Sequence, residues 1–125
     1  MSTVLRRWAQ CCALICVAVF GQFFAFTAEA LMRSRYSAYV LKLENYLLAT
    51  WHPTTRPSEL DIEADGTKWL GLAVKRHQQQ DDSHATVEFV ARYRIAGRGH
   101  RLHELSRFVR EDERWYYLDG DMLPA

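Results

Sequence analysis

Residues 86–108 read TVEFVARYRIAGRGHRLHELSRF. Val87, Phe89, Ala91, Tyr93 and Ile95 alternate with Glu88, Arg92 and Arg94. Successive side chains of a strand point to opposite faces of a sheet, so Thr86 to Ile95 is a strand with one buried face. Ala96-Gly97-Arg98-Gly99 comes next, and glycine accepts the positive φ that tight hairpin turns demand. With Gly97-Arg98 at the tip, Tyr93 lies opposite Leu102, Ala91 opposite Glu104, Phe89 opposite Ser106 and Val87 opposite Phe108. A second two-residue turn at Asp112-Glu113 sets Phe108 against Tyr117 and Ser106 against Asp119. These two turns define three consecutive antiparallel strands.

Working outward, Trp69 to Lys75 alternates loosely and reads as another strand, joined to the first by the polar run 78–83. Thr54 to Gly66 reads as a loop. From Ala28 to Thr50 there is no Gly or Pro, and Met32, Tyr36, Tyr39, Val40, Leu43 and Leu47 fall three or four apart. That spacing predicts an amphipathic helix. Thr27 suits its N-cap and Glu29 its first turn. A helix of this length is long for a small domain, which places a break near Lys42. His52-Pro53 and Arg56-Pro57 end the helical region, because a residue before proline avoids the helical conformation. One helical region followed by an antiparallel meander is α+β architecture.

The 125 residues suffice for one domain. With 49% hydrophobic and 25% charged residues, the composition excludes a disordered tail, a collagen-like repeat and a multi-pass membrane protein. Lys+Arg is 16 against 15 Asp+Glu. That balance argues against a nucleic-acid binder held by phosphate neutralisation. Arginines 92, 94, 98, 101, 107 and 110 are diluted by Glu88 and residues 111–113, as on a solvated sheet face. The cysteines are confined to positions 11, 12 and 16, so no disulfide framework holds the body of the chain.

The division at residue 26 separates an apolar N-terminal segment, 1–26, from the domain, 27–125. Arg6-Arg7, the apolar run from Trp8 and the small-x-small Ala28-Glu29-Ala30 together have the form of a secretory signal. The run is also about long enough to cross a bilayer. Gln10 and Gln22 weaken a spanning reading. Cys11, Cys12 and Cys16 supply thiols but no nearby His, and a structural zinc site wants four ligands in spaced pairs.

The chemistry lies in Glu104. On the register above it shares a face with Val87, Phe89, Tyr93, Ser106 and Phe108, where the helix packs. Asp119 enters on the neighbouring strand. A buried carboxylate is costly unless hydrogen-bonded or paired. Its candidate partners are the hydroxyls of Tyr93 and Tyr117 or a guanidinium from Arg33 or Arg35. A desolvated Glu beside another acid has a raised pKa and suits general acid/base work; the structural alternative is a Glu that ties helix to sheet. His103 faces away from Glu104, His52 sits at the helix exit within reach of a pocket mouth, and no phosphate loop, HExxH or G-x-S-x-G motif is present.

The run TAEALMRSRYSAY, residues 27–39, resembles the signature of the bacterial YchJ family. YLLATWHP (46–53), WLGL (69–72), VEFVARY (87–93), HELSRF (103–108) and WYYLDG (115–120) match it in the same order. The resemblance implies a cone-shaped nuclear-transport-factor-2-like (SnoaL-like) fold, with N-terminal helices packed on a curved antiparallel sheet around a central cavity. It carries no established activity. Family members usually open with a Cys-x-Cys and a later Cys-Cys resembling the SEC-C zinc motif. Here only Ala9-Gln10-Cys11-Cys12 matches, so the resemblance implies at most two remaining metal ligands, Cys11 and Cys12, of an incomplete set, with zinc as the cofactor in question.

Three functions fit these residues. The first is a cytoplasmic binding or interaction module whose cavity takes an unknown small ligand or whose surface meets a protein. The second is a SnoaL-like enzyme with Glu104 and Asp119 as acid/base groups. Its pocket would be built from Arg33, Arg35, Tyr36, Tyr39, Phe89, Tyr93, Ser106, Phe108, Trp115 and Tyr117. The third is an exported or membrane-anchored domain using residues 8–28. No nucleic-acid partner is expected, a membrane is not the favoured partner, and cone-fold relatives point to a homodimer by analogy.

Overall fold

The computed structural model describes residues 27–62 and 66–124. Two helices, α1 (Ala28–Leu41) and α2 (Glu44–Ala49), precede four strands: β1 (Lys68–Gln79), β2 (His84–Ile95), β3 (Arg98–Glu111) and β4 (Arg114–Met122). The strands form one antiparallel sheet in the order β1-β2-β3-β4. The helices pack on one of its faces, giving the expected α+β class.

The helical region is broken at the expected place. Thr27 caps α1 by accepting from the Ala30 amide at 3.0 Å. Lys42 then adopts the left-handed conformation at φ 58°, and the Leu43 amide returns to the Ala38 carbonyl at 2.8 Å. This is the usual way to satisfy the orphan carbonyls of a helix end. The reversal folds α2 back onto α1. Ala38 and Leu47 meet there with no exposed surface, joined by Tyr46 and Ile62. A second core lies between α1 and the sheet, where Leu31, Val87 and Phe108 are almost wholly buried.

The β2–β3 turn differs from the expected one. Its tip is Ala96-Gly97, with φ of 50° and 79°, and Ile95 pairs with Arg98. A turn with two positive φ angles accommodates Gly best at its second position, which is where Gly97 falls. The register moves by two residues, so Phe89 faces Glu104 and Val87 faces Ser106. A shift of two keeps every side chain on its expected face. The Asp112-Glu113 turn sits where predicted, with both φ values positive and neither residue a glycine. Glu113→Gly relieves that strain and is expected to raise stability by about 0.5–1 kcal/mol, read as a higher urea midpoint; an unchanged midpoint would mean the turn relaxes without cost.

A register shift between Arg107 and Phe108 alters the pairing with β4. Phe108 pairs with Tyr117 as expected, but Arg107 pairs with Asp119 and Ser106 with Gly120. One extra residue on β4 turns Asp119 away from Ser106, as a bulge does. β1 carries two such shifts, between Trp69 and Gly71 and between Val74 and Arg76. They explain the loose alternation of its sequence. β1 also runs on to Gln79, into the stretch read as a polar connection. Beyond α2 the chain is tied to β4: the His52 amide donates to the Tyr117 carbonyl and the Tyr117 amide to the Thr50 carbonyl, both at 2.8 Å.

Candidate functional site

Glu104 points into the space between sheet and α1 and is 8% exposed. β3 carries it there because residues 102, 104, 106 and 108 share the inner face. The Ser106 hydroxyl, two residues on, donates to Glu104 Oε2, and the Tyr117 hydroxyl approaches the same oxygen at 3.4 Å. Gly120 makes room for this group: a Cβ there would stand 2.7 Å from Glu104 Cδ. Burial pushes the Glu104 carboxyl above its ordinary value, against the opposing pull of Ser106, Tyr117 and more distant Arg35 and Arg107. Burial likewise raises the Tyr117 hydroxyl, with Glu104 adding to the effect.

Opposite stands Arg35 of α1, 4% exposed. Its Nη1 donates to the Leu47 carbonyl at 2.8 Å and to Thr50 Oγ1 at 2.6 Å, so it staples α1 to α2. Its guanidinium carbon lies 4.7 Å from the Tyr117 ring centre and 5.1 Å from that of Trp51. A delocalised, weakly hydrated cation tolerates such stacking better than an ammonium would. Burial holds the guanidinium below its ordinary value, opposed by Tyr39, Tyr117, Tyr46 and Glu104.

Between them lies a cavity of about 350 Å³. Of the residues singled out from sequence, Arg35, Tyr36, Tyr39, Phe89, Glu104, Ser106 and Tyr117 line it. Others do not. Asp119 is on the outer face, bonded to Arg107 Nε at 2.5 Å, because the β4 bulge turned it there. Arg33 faces away along α1 and pairs with Glu29 at 3.2 Å. Phe108 and Trp115 are core residues packed beside the cavity rather than on it. Tyr93 lies between Trp69 and His100 near the hairpin end. His52 is held by Thr54 and by Glu111 Oε2 at 2.8 Å, away from the cavity lining. His103 bonds to Glu88 and the Pro124 carbonyl, on the face opposite Glu104. Cys11 and Cys12 lie outside the described residues.

Sequence reading missed Met32, Trp51, Trp69, Ala91, Leu102 and Met122 as lining residues. Trp69 and Leu102 carried a signal, since both alternate onto the inner face. Trp51 carried none. It reaches the cavity only because the segment after α2 pairs with Tyr117.

Glu104→Gln tests the electrostatics. A carboxyl whose folded pKa is raised favours the folded state while protonated. That contribution is complete below the unfolded pKa and is lost as pH rises towards the folded value. The melting temperature of Glu104→Gln, relative to the parent, is therefore expected to climb over that interval and then level. A constant difference from pH 4 to 8 would place the carboxylate in a polar, solvated setting.

Helices covering one face of an antiparallel sheet, with a partly polar cavity between, define the molecule as an α+β domain. A family profile described as "YchJ, middle NTF2-like domain" matches residues 27–120. The chain belongs to the YchJ family. It is 70% identical over 95 residues to a UPF0225 protein of Bordetella pertussis, covering 76% of this chain and 71% of that one. It is 61% identical over 107 residues to a UPF0225 protein of Ralstonia nicotianae, covering 77% and 74%. Two solved structures share the fold. The solution structure of a SEC-C motif containing protein from Rhodopseudomonas palustris has a TM-score of 0.78 and 32% identity, covering 90% of this chain and 91% of that one. The crystal structure of one from Psychrobacter arcticus has a TM-score of 0.74 and 34% identity, covering 94% and 73%. Among the described residues no helix is long and apolar enough to cross a membrane.

Proposed function

We propose that this domain is a small-ligand-binding module whose ligand sits between α1 and the sheet, in the cone that the family resemblance implies. The observation that carries the reading is the pairing of aromatic walls with buried polar groups: Arg35, Glu104, Ser106 and Tyr117 meet in one cavity of about 350 Å³. Ligand pockets are mostly apolar with a few convergent polar groups, and this volume falls in their lower range. A purely structural interior would be filled by apolar side chains at native density.

Phenol is a suitable first probe, being flat and equipped with one hydroxyl. Titration into the full chain is expected to shift the NMR signals of Tyr36, Trp69 and Leu102 together and to saturate. Shifts confined to the outer face, or no binding of phenol, benzoate, benzamide and benzylamine alike, would overturn the reading.

The raised pKa of Glu104 favours a second reading, an acid/base enzyme using Glu104 alone, with Asp119 on the other face. Its signature is turnover of a bound compound that Glu104→Gln abolishes while binding persists.

A further inference from the structure

A molecule entering the cavity meets a buried cation that has no close counter-ion among the described residues. None of the ion pairs among the described residues involves Arg35. Its bonds to the Leu47 carbonyl and to Thr50 both leave from Nη1, and the guanidinium also hydrogen-bonds to the Tyr39 hydroxyl. The Nε–Nη2 edge serves neither of those two bonds, and that edge of a guanidinium forks onto planar carboxylates. Trp51, stacked against Arg35, holds an unmatched donor. Its Nε1 is buried without a hydrogen-bond partner and is alone in this among the described residues. Buried donors left unpaired are costly, and a cation without a counter-charge more so. An acceptor carrying negative charge answers the guanidinium.

Glu104, the acid in the cavity, stands across from Arg35 beyond ion-pair distance. The groups facing it are Arg35 and Tyr39 from α1, Tyr117 from β4 and Ser106 beside it, with Arg107 acting from the outer face. In its neutral form Glu104 donates a hydrogen bond rather than repelling an anion. The walls set the rest of the ligand. Tyr36, Trp69 and Phe89 offer ring faces and edges that suit a flat apolar body.

We infer that the cavity selects a small flat monocarboxylate, its carboxylate on the guanidinium of Arg35 and its apolar body among Tyr36, Trp69 and Phe89. This rests on the cavity being a ligand site, as proposed above. A second negative charge in the same cavity opposes ionisation of Glu104, so binding favours its protonated form.

The test uses the full chain and three probes of one shape: benzoate, benzamide and benzylamine. Affinities are read by calorimetry in two buffers of different ionisation enthalpy, with tryptophan fluorescence reporting on Trp51 and Trp69. Benzoate is expected to bind about tenfold or more tightly than benzamide, with benzylamine weakest. Glu104→Gln keeps benzoate binding and loses the proton uptake. Arg35→Met loses the preference for benzoate. If that variant does not fold, the probe series and Glu104→Gln decide the matter alone. Benzamide or benzylamine binding as tightly as benzoate overturns the carboxylate inference and leaves the ligand cavity standing. So does phenol binding without any of the three. Failure of all four overturns both.

Discussion

Phe108→Ala is expected to lower the folding stability by about 3–5 kcal/mol, a large share of the roughly 5–15 kcal/mol typical of a small domain. Phe108 is 1% exposed, on the inner face of β3 two residues beyond Ser106. Its ring meets that of Tyr117 edge-on at 5.8 Å, within the core that joins α1 to the sheet. Truncation removes the apolar area that excludes water there. It also leaves a void beside Val87 and Trp115 that a hydrogen-bonded sheet closes only in part. The measurement is a urea titration followed by circular dichroism. A fall in midpoint with an unchanged slope is expected, since the unfolded chain exposes the same backbone. A loss below about 1 kcal/mol would mean that the inner face collapses freely and is not a packed core. Because Tyr117 also touches Glu104 and Arg35, the same variant is expected to loosen the cavity wall.

Leu47→Ala is expected to cost about 2–5 kcal/mol through a different part of the molecule. Leu47 has no exposed surface and is the apolar anchor of α2, a helix of only 6 residues. A helix so short has little stability of its own and persists through packing. The Leu47 carbonyl also accepts from Arg35. Weakening α2 therefore releases the tether that orients the guanidinium, and fluorescence from Trp51 is expected to change along with stability. Leu47 and Phe108 belong to separate buried clusters. The double variant is expected to lose the sum of the two single effects to within about 0.5 kcal/mol. Strong coupling between them would show that the two clusters respond as one.

Much of this architecture could be read from residue order. Thr27 and the break at Lys42 bounded α1, and period-two alternation located β2, β3 and the inward face of Glu104. That face survived a wrong turn assignment at residues 96–98 because a two-residue slip conserves parity. Asp119 did not survive. One bulged residue in β4 reverses every side chain after it, and nothing in WYYLDG announces the bulge. Arg33 and Arg35 looked interchangeable along the chain, two residues apart. The helix turned one to Glu29 and the other into the cavity.

Short-range chemistry, then, dictated where helix and strands start, which strand faces are apolar and that one acid looks inward. These depend on φ preferences and on side-chain periodicity, which neighbours along the chain already express. The partners of that acid were decided elsewhere. Trp51, Tyr117 and Arg35 meet because backbone pairing brings residues 50–52 against β4 and because α2 folds back on α1. Such contacts join residues dozens of positions apart, and only the closing of the whole chain around its two cores brings them within reach.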